Sequence, residues 1–289
     1  MTERRAELSL VAVTLVAAAG WVFTKFALAG FTPYAFLSIR FAIAAAALAL
    51  FCWPALRRLQ RRQCLRSLTT GAVMGLALLI WIQAIDRTPY IGEGAFIVSL
   101  AVVAVPVLGR LLFGDKISIG LVIALVPALA GLAMLSLDQG FHLAPYQLYF
   151  LASMLAFALH LNLSSHYVRG IPSLPLATLQ LLTVSIISAI AALATETWPR
   201  EASATAWFWL LCAALIATSL RFALQTSALQ HLKPSHASMI FLAEPVWTAV
   251  LGALLLGEVM SANQIAGCVL IFTSLLIFRG GTALRLWRR

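Results

Sequence analysis

Ten apolar stretches fill most of the chain, and the connections between them are short and often marked by Gly or Pro. Each stretch holds about 18 to 24 residues, which is the length of an α-helix that crosses a lipid bilayer. Backbone groups in lipid need hydrogen-bond partners within the same segment, so helices are expected rather than open strands. We therefore predict an all-α, polytopic membrane protein with ten transmembrane helices. The predicted spans are residues 8–28, 34–53, 68–85, 93–113, 118–137, 146–167, 174–194, 206–229, 236–256 and 262–279.

The composition excludes the common soluble classes of protein. Apolar residues make up 62% of the chain, charged residues make up 10%, and the mean hydropathy is +0.96. Soluble domains contain about 45–50% apolar and about 25% charged residues. A soluble enzyme, a nucleic-acid-binding module and a disordered regulator are therefore excluded. The four cysteines are scattered and form no C-x-x-C pair, so neither a disulfide framework nor a metal cluster is indicated.

The basic residues lie mostly on one side of the predicted spans. With the N-terminus inside, the inner segments hold fifteen Lys and Arg residues and the outer segments hold two. Cytoplasmic segments of membrane proteins are enriched in Lys and Arg, so both termini are predicted to be cytoplasmic. This asymmetry also accounts for the net charge of +10 without a nucleic-acid partner.

The chain contains a repeated segment, one copy in each half. Residues 107–118 and residues 250–261 are identical at seven of twelve positions, including both glycines. Asp115 in the first copy aligns with Glu258 in the second copy. With the predicted spans, the first copy lies at the inner face of the membrane and the second copy at the outer face.

Two halves of five helices follow from this repeat, over residues 8–137 and 146–279. An odd number of helices in each half turns the second half upside down relative to the first. Inverted repeats are typical of transporters that alternate access to a site near the membrane midplane. We therefore predict two inverted five-helix repeats around a central site.

Several segments carry motifs of a known transporter family, namely 242–246 (Leu-Ala-Glu-Pro-Val), 254–258 (Leu-Leu-Leu-Gly-Glu) and 21–25, together with Pro33 and Arg40. In these motifs the chain resembles the EamA-type transporters of the drug/metabolite transporter superfamily, over about residues 8–279. The resemblance implies a bacterial inner-membrane exporter of amino acids, metabolites or small toxic compounds, with a central cavity between its halves. Departures include Asp115 where the family more often has Glu, and Val102 where the repeat alignment expects a counterpart of Pro245.

Two charged residues lie deep in the second half. Arg221 and Glu244 are each ~12 Å from the inner end of their spans at 1.5 Å per helical residue, and Asn162 falls near the same level. Arg221 is predicted to bind a substrate carboxylate and Glu244 to exchange a proton. Two structural interpretations stay open, namely a permanent ion pair and a Glu244 side chain that caps a helix break at Pro245. Pro245 removes a backbone donor, so it is predicted to bend its helix.

A second polar layer is expected near the outer face. Lys25, Arg40 and Glu93 lie in the outer parts of their spans, and Asp86 and Arg87 lie in the adjoining loop. These groups are interpreted either as snorkelling side chains whose ion pairs close the outer mouth, or as a gate whose pairs break and re-form. Arg40 needs a partner more than Lys25, because Arg40 lies deeper.

Three tryptophans lie well inside their spans rather than at the membrane interfaces, namely Trp21, Trp81 and Trp247. Apolar walls with a few polar groups suit a small organic ligand, and Gln225 supplies such a group one helical turn from Arg221. Lys25 lies one turn from Trp21. The predicted substrate-binding residues are therefore Trp21, Lys25, Trp81, Asn162, Arg221, Gln225, Glu244 and Trp247, and the gating or coupling residues are Glu244, Pro245, Arg40 and Glu93. Plain helix packing is the alternative for each tryptophan.

The sequence favours a secondary transporter over an enzyme. It contains no ATP-binding loop and no metal-binding helix motif, so no cofactor or metal is expected. The alternative is an integral-membrane enzyme that acts on a lipid-linked substrate, but such an enzyme would gather acids or histidines at one interface. The expected partners are a small-molecule substrate, membrane lipid and a second copy of the chain bound through the fifth and tenth spans.

Overall fold

The computed structural model describes residues 3–87, 94, 97–136, 145–167, 170–197, 202–256 and 261–287. The regular structure in these ranges is helical throughout, which confirms the predicted all-α class. The first five helices are α1 (Glu3–Ala27), α2 (Pro33–Arg57), α3 (Arg61–Arg87), α4 (Ala101–Phe113) and α5 (Ile119–Ser136). The second five are α6 (Pro145–Tyr167), α7 (Ser173–Thr195), α8 (Ala204–Leu229), α9, which consists of α9a (Pro234–Phe241) and α9b (Ala243–Leu256), and α10 (Ala262–Trp287).

Six of these helices are long and apolar enough to cross a membrane, namely α1, α2, α3, α6, α7 and α8. The apolar segments Ile97–Phe113, Ile119–Met134 and Ile265–Phe278 are shorter. Each predicted span overlaps one of the helices α1 to α10, so ten helices fit the described residues. The chain is therefore a multi-pass membrane protein.

The helices of the two halves pack together in matched pairs. Helix α2 packs along α7, and α5 packs along α10. Helix α3 packs on α6 as α8 packs on α1, and α4 contacts α6 as α9 contacts α1. Each helix of the first half has a counterpart five helices later, so that α1 corresponds to α6 and α2 to α7. When every helix is replaced by its counterpart, each of these contacts becomes a contact of the same set.

Glycines allow the closest of these contacts. A Cβ atom on Gly71 of α3 would lie 2.8 Å from the Cβ atom of Thr183 on α7. A Cβ atom on Gly131 of α5 would lie 2.6 Å from the carbonyl oxygen of Gly267 on α10. Neighbouring helices in lipid gain little from the hydrophobic effect, so close van der Waals contact of this kind stabilises them.

Large apolar side chains cover the outside of the bundle. Leu50 on α2, Val126 on α5 and Leu276 on α10 are 82%, 69% and 70% exposed. Extended apolar surfaces of this kind are rare on soluble proteins. They suit contact with lipid chains, so the charged groups that function requires are expected inside the bundle.

Candidate functional site

A central cavity of about 210 Å³ lies between the two halves of the bundle. Helices α1, α2, α3 and α4 of the first half line it together with α6, α8 and α9 of the second half. The lining includes Met74 in the middle of α3, Ala101 at the start of α4, and Phe241 and Glu244 at the junction of α9a and α9b. Both halves therefore enclose the cavity.

Arg221 and Glu244 meet in this cavity. Arg221 Nη2 lies 3.6 Å from Glu244 Oε2, and the two side chains are 25% and 20% exposed. Trp21 Nε1 donates a hydrogen bond of 2.9 Å to Glu244 Oε1. The Glu244 carboxylate therefore joins α1 of the first half to α8 of the second half.

A break in α9 positions Glu244. Helix α9a ends at Phe241 and α9b begins at Ala243, so Glu244 lies in the first turn of α9b. Pro245 has no backbone N–H and cannot donate to the carbonyl of Phe241, four residues earlier. Carboxylates are stabilised in the first turn of a helix by the helix dipole. The helix is thus interrupted at Leu242, close to Pro245, and Glu244 lines the cavity just after this interruption.

Arg40 lines the same cavity and is held by hydroxyl groups. Its Nε atom donates to Thr218 Oγ1 at 2.7 Å, and its Nη1 atom donates to Thr24 Oγ1 at 3.1 Å. The rings of Phe36 and Phe41 each lie with their centroid 5.6 Å from the guanidinium carbon. Arg40 is 7% exposed, so these contacts hold it in one place.

This placement differs from the expected outer layer. Arg40 forms no ion pair with a carboxylate in the ranges that the structure describes. Lys25 is exposed and lies outside the cavity wall. Arg87 donates a hydrogen bond to the backbone carbonyl of Gln83 on its own helix. Glu93 lies outside the described residues.

The remaining predicted residues divide into two groups. Trp81, Gln225 and Pro245 line the cavity, and the ring of Trp81 meets that of Trp21 edge-on at 5.0 Å. Asn162 and Trp247 do not line it. The Asn162 amide nitrogen donates to the carbonyls of residues 105 and 158, and Trp247 packs edge-on against the ring of residue 272 at 6.1 Å.

A buried hydrogen-bond network borders the cavity on its α6 side. His160 Nδ1 lies 3.1 Å from the carbonyl oxygen of Thr70, and His160 Nε2 lies 3.4 Å from Ser164 Oγ. Gln180 Nε2 donates to Thr70 Oγ1 and to Ser164 Oγ, at 2.8 and 2.9 Å. A carbonyl oxygen only accepts hydrogen bonds, so Nδ1 of His160 bears a proton and donates to Thr70.

Thr218 is a site residue that the sequence analysis missed. It lies in a π-helical turn of α8, Leu215–Leu220, and its hydroxyl donates to the carbonyl of Ala213 while accepting from Arg40. π-Helical turns occur frequently at functional sites. Threonines are common inside membrane helices, so nothing in the sequence distinguishes this one.

An apolar cluster closes the end of the bundle where α1 begins. The cluster includes Leu10 of α1, Val105 of α4 and Leu161 of α6. Two side-chain pairs join the halves at this end. Glu7 Oε1 lies 3.1 Å from His236 Nε2, and Asp115 Oδ1 lies 3.6 Å from the ring nitrogen Nε2 of residue 166.

Among the described residues, no group of three or more His, Cys, Asp and Glu side chains is arranged so that it could hold a metal ion.

Comparisons with known proteins bear on the whole chain. The model of the EamA-like transporter family matches twice, over residues 4–137 and 144–280. A protein of Archaeoglobus fulgidus named as an uncharacterized transporter is 29% identical over 272 residues, which cover 94% of this chain and 85% of that protein. One solved crystal structure is similar with a TM-score of 0.82 and 17% identity, over 98% of this chain and 99% of the other. This last likeness shows a shared fold.

Proposed function

Because the chain belongs to the EamA-like transporter family and is therefore a membrane transporter, we propose that it exports small organic metabolites, such as amino acids or toxic compounds, by alternating access. The observation that supports this proposal is the central cavity, which both halves enclose and which contains Arg40, Arg221 and Glu244. Charged side chains are costly at membrane depth and mark substrate pathways in transporters.

Alternating access in this proposal uses the two halves as rocking units. Residues 8–137 and 146–279 form two inverted repeats, and the exchange of packing partners between α1–α5 and α6–α10 supports that symmetry. The end where α1 begins is closed by the apolar cluster around Leu10. Opening that cluster while the other end closes would move a bound solute across the membrane.

Arg221 and Glu244 couple substrate binding to protons in this proposal. The ionised carboxylate of Glu244 holds Arg221 in the observed ion pair. A proton on Glu244 weakens that pair and frees the guanidinium of Arg221 to bind the substrate carboxylate. The hydrogen bond from Trp21 to Glu244 is kept while the carboxylate is ionised and is lost when the carboxylate takes up a proton. This dependence links the proton to α1.

The proposed location is the bacterial inner membrane with both termini in the cytoplasm. The excess of Lys and Arg in the inner segments supports this orientation. A homodimer through the outer faces of α5 and α10 is part of the proposal, because both faces are apolar and exposed at Val126 and Leu276.

A growth screen tests the export proposal. Cells that overproduce the chain are exposed to toxic amino acids and metabolites, and we expect protection against at least one of them. Glu244→Gln and Arg221→Ala are expected to abolish that protection. The matched controls are Asp86→Asn and Arg57→Ala, which change exposed side chains outside the cavity. Equal protection by the parent and both cavity variants would overturn the site.

Proton coupling has a separate test. Purified protein is reconstituted in proteoliposomes, and a pH gradient is imposed while movement of the protective solute is measured. We expect the gradient to drive movement in the parent and not in Glu244→Gln. Transport that is indifferent to the gradient would remove Glu244 as the proton carrier and leave the export proposal standing.

A further inference from the structure

The described walls of the cavity contain more basic than acidic groups. Arg40 and Arg221 both line it, whereas Glu244 is the one carboxylate among its described lining residues. The described walls therefore contain two guanidinium groups and one carboxylate, so one positive charge has no counter-charge from the protein.

Arg40 is the guanidinium whose charge is not offset. Arg221 faces Glu244 across 3.6 Å, whereas Arg40 contacts only neutral acceptors, the hydroxyls of Thr24 and Thr218. An arginine side chain has five N–H groups, of which these two contacts use two. A buried charge is stabilised by a counter-charge and destabilised without one.

The free N–H groups of Arg40 lie beside the cavity. No acceptor contacts Arg40 Nη2 within the described part of the chain. A Cβ atom placed on Gly20 would lie 3.9 Å from this Nη2, and Gly20 itself lines the cavity. The end of the guanidinium that bears Nη1 and Nη2 is therefore available to a bound molecule.

We propose that the cavity selects small organic anions, and that Arg40 binds the carboxylate of the substrate through its Nη atoms. This inference rests on the proposed function and narrows its substrate class; the carboxylate binds first to Arg40, and Arg221 joins it only when a proton on Glu244 releases the ion pair. Guanidinium groups bind carboxylates with paired, charge-assisted hydrogen bonds. Thr24 and Thr218 fix the plane of the Arg40 guanidinium, which lowers the entropy lost when a carboxylate binds.

The rest of the substrate is apolar. Trp81, Met74, Phe157 and Phe222 provide the walls around the charged groups. A volume of about 210 Å³ is small beside the pockets of about 300–1,000 Å³ that hold drug-sized ligands. A compact molecule with one carboxylate and an apolar or aromatic body fits this combination.

An amine finds no comparable partner in the cavity. Glu244 already accepts from Trp21 Nε1 and faces Arg221. A substrate ammonium would compete with both contacts and would meet the positive charge of Arg40. The anion is therefore preferred over a cation of the same shape.

Three probes of matched size test the charge preference, namely 3-phenylpropionate, 3-phenylpropan-1-ol and 3-phenylpropylamine. Their binding to the full chain in lipid nanodiscs is followed by tryptophan fluorescence, because Trp21 and Trp81 line the cavity. We expect the acid to bind about tenfold or more tightly than the alcohol, and the amine to bind most weakly. Equal or tighter binding of the alcohol or the amine overturns the inference, as does failure of all three to bind.

Variants test the assignment to Arg40. Arg40→Gln is expected to abolish the preference for the acid, and Arg40→Lys to retain part of it, because a lysine keeps the charge. Arg57→Gln is the matched control and is expected to keep the preference, since Arg57 is exposed and lies outside the cavity. A preference that is kept in Arg40→Gln and lost in Arg221→Gln would place the carboxylate on Arg221 and overturn the assignment. The wild-type comparison needs no variant, so a misfolded Arg40→Gln protein does not remove the test.

The same preparation separates this inference from the proposed function. Selective binding of the acid together with no movement of any solute in proteoliposomes would contradict transport and keep the anion site. Transport with a preference for the amine or the alcohol would contradict the anion site and keep transport.

Discussion

The two arginines of the cavity are buried in different chemical settings. Arg221, on α8, has a carboxylate partner 3.6 Å away and is a quarter exposed. Arg40, on α2, has two hydroxyl partners and is 7% exposed. The positive charge of Arg221 is thus offset by a carboxylate of the protein, whereas that of Arg40 is not.

In the proposed mechanism, this difference gives the two arginines different tasks within one cavity. An ion pair changes when its acid is protonated, so Arg221 responds to the charge of Glu244. A guanidinium held by neutral hydroxyls keeps both its position and its charge whatever happens to that acid. Arg40 is therefore suited to substrate binding throughout the cycle, and Arg221 to coupling.

The two settings also differ in how they connect the halves. Glu244 joins α8 and α9 of the second half to Trp21 of the first half. Arg40 joins α2 of the first half to Thr218 of the second half, and it contacts Thr24 within its own half. Under the proposed alternating access, each of these two sets of contacts has to break or to move as a unit when the halves rock.

The largest expected effect is on transport when the ion pair is broken. Arg221→Gln and Glu244→Gln are each expected to lower the initial rate in proteoliposomes by about tenfold or more, because each leaves a charge without its partner. The double variant is expected to be no slower than the slower single variant, since the two residues act as one unit.

A second double-mutant cycle, with Arg40 in place of Arg221, provides the contrast for this prediction. Arg40→Gln combined with Glu244→Gln is expected to show effects that add, because no contact joins the two side chains in the described structure. Coupling of equal size in both cycles would mean that the two arginines do not differ in role.

A smaller effect is expected on stability when the hydroxyl partners of Arg40 are removed. Thr24→Val and Thr218→Val are each expected to lower the free energy of unfolding by about 1.5–3 kcal/mol, the usual range for a hydrogen bond to a charged group. The measurement is unfolding in mixed micelles followed by tryptophan fluorescence. Thr195→Val is the control, because that exposed hydroxyl bonds only to its own helix. A loss as large in this control would show that Arg40 gains nothing from its threonines.

Much of the fold follows from the sequence because membrane spans have a simple physical signature. Length and hydropathy locate the ten helices, and backbone chemistry in lipid makes them helical. Depth along a span is equally predictable, since each residue adds about 1.5 Å. That arithmetic brings Arg221 and Glu244 to one level, and the structure places them in contact.

The direction that a side chain faces is harder to predict than its depth. Trp21 and Trp247 both lie well inside their predicted spans, yet Trp21 lines the cavity and Trp247 packs against α10. Most of these helices are apolar on nearly every face, so hydrophobic periodicity does not orient them. Asn162 shows the same difficulty, since its amide bonds to backbone carbonyls and the residue does not line the cavity.

The partners of Arg40 depend on a local irregularity of α8. The π-helical turn at Leu215–Leu220 changes the phase of the helix and lets Thr218 bond both to Ala213 and to Arg40. A regular α-helix of the same sequence would present a different face. The sequence therefore shows that Arg40 needs a partner but does not identify it.

A modest effect is expected when Glu244 loses its aromatic donor. Trp21→Phe keeps an aromatic ring beside Trp81 but removes the Nε1 hydrogen bond to Glu244. We expect transport to fall by about two- to tenfold, which corresponds to roughly 1 kcal/mol for one hydrogen bond. Trp81→Phe is the matched control, because its ring lines the cavity and no acceptor contacts its nitrogen in the described residues. A larger loss in Trp81→Phe would show that ring shape, rather than the link to Glu244, governs transport.

The smallest expected effect concerns Lys25, which lies one helical turn from Trp21 but is exposed. A solvated or lipid-interface ammonium interacts weakly with distant charges, because water screens it. Lys25→Gln is therefore expected to change both the transport rate and the binding of 3-phenylpropionate by less than about twofold. The result is compared with Arg40→Gln in the same assays. A loss of acid binding in Lys25→Gln as large as in Arg40→Gln would mean that the anion responds to the total positive charge of this region rather than to the one guanidinium beside Gly20.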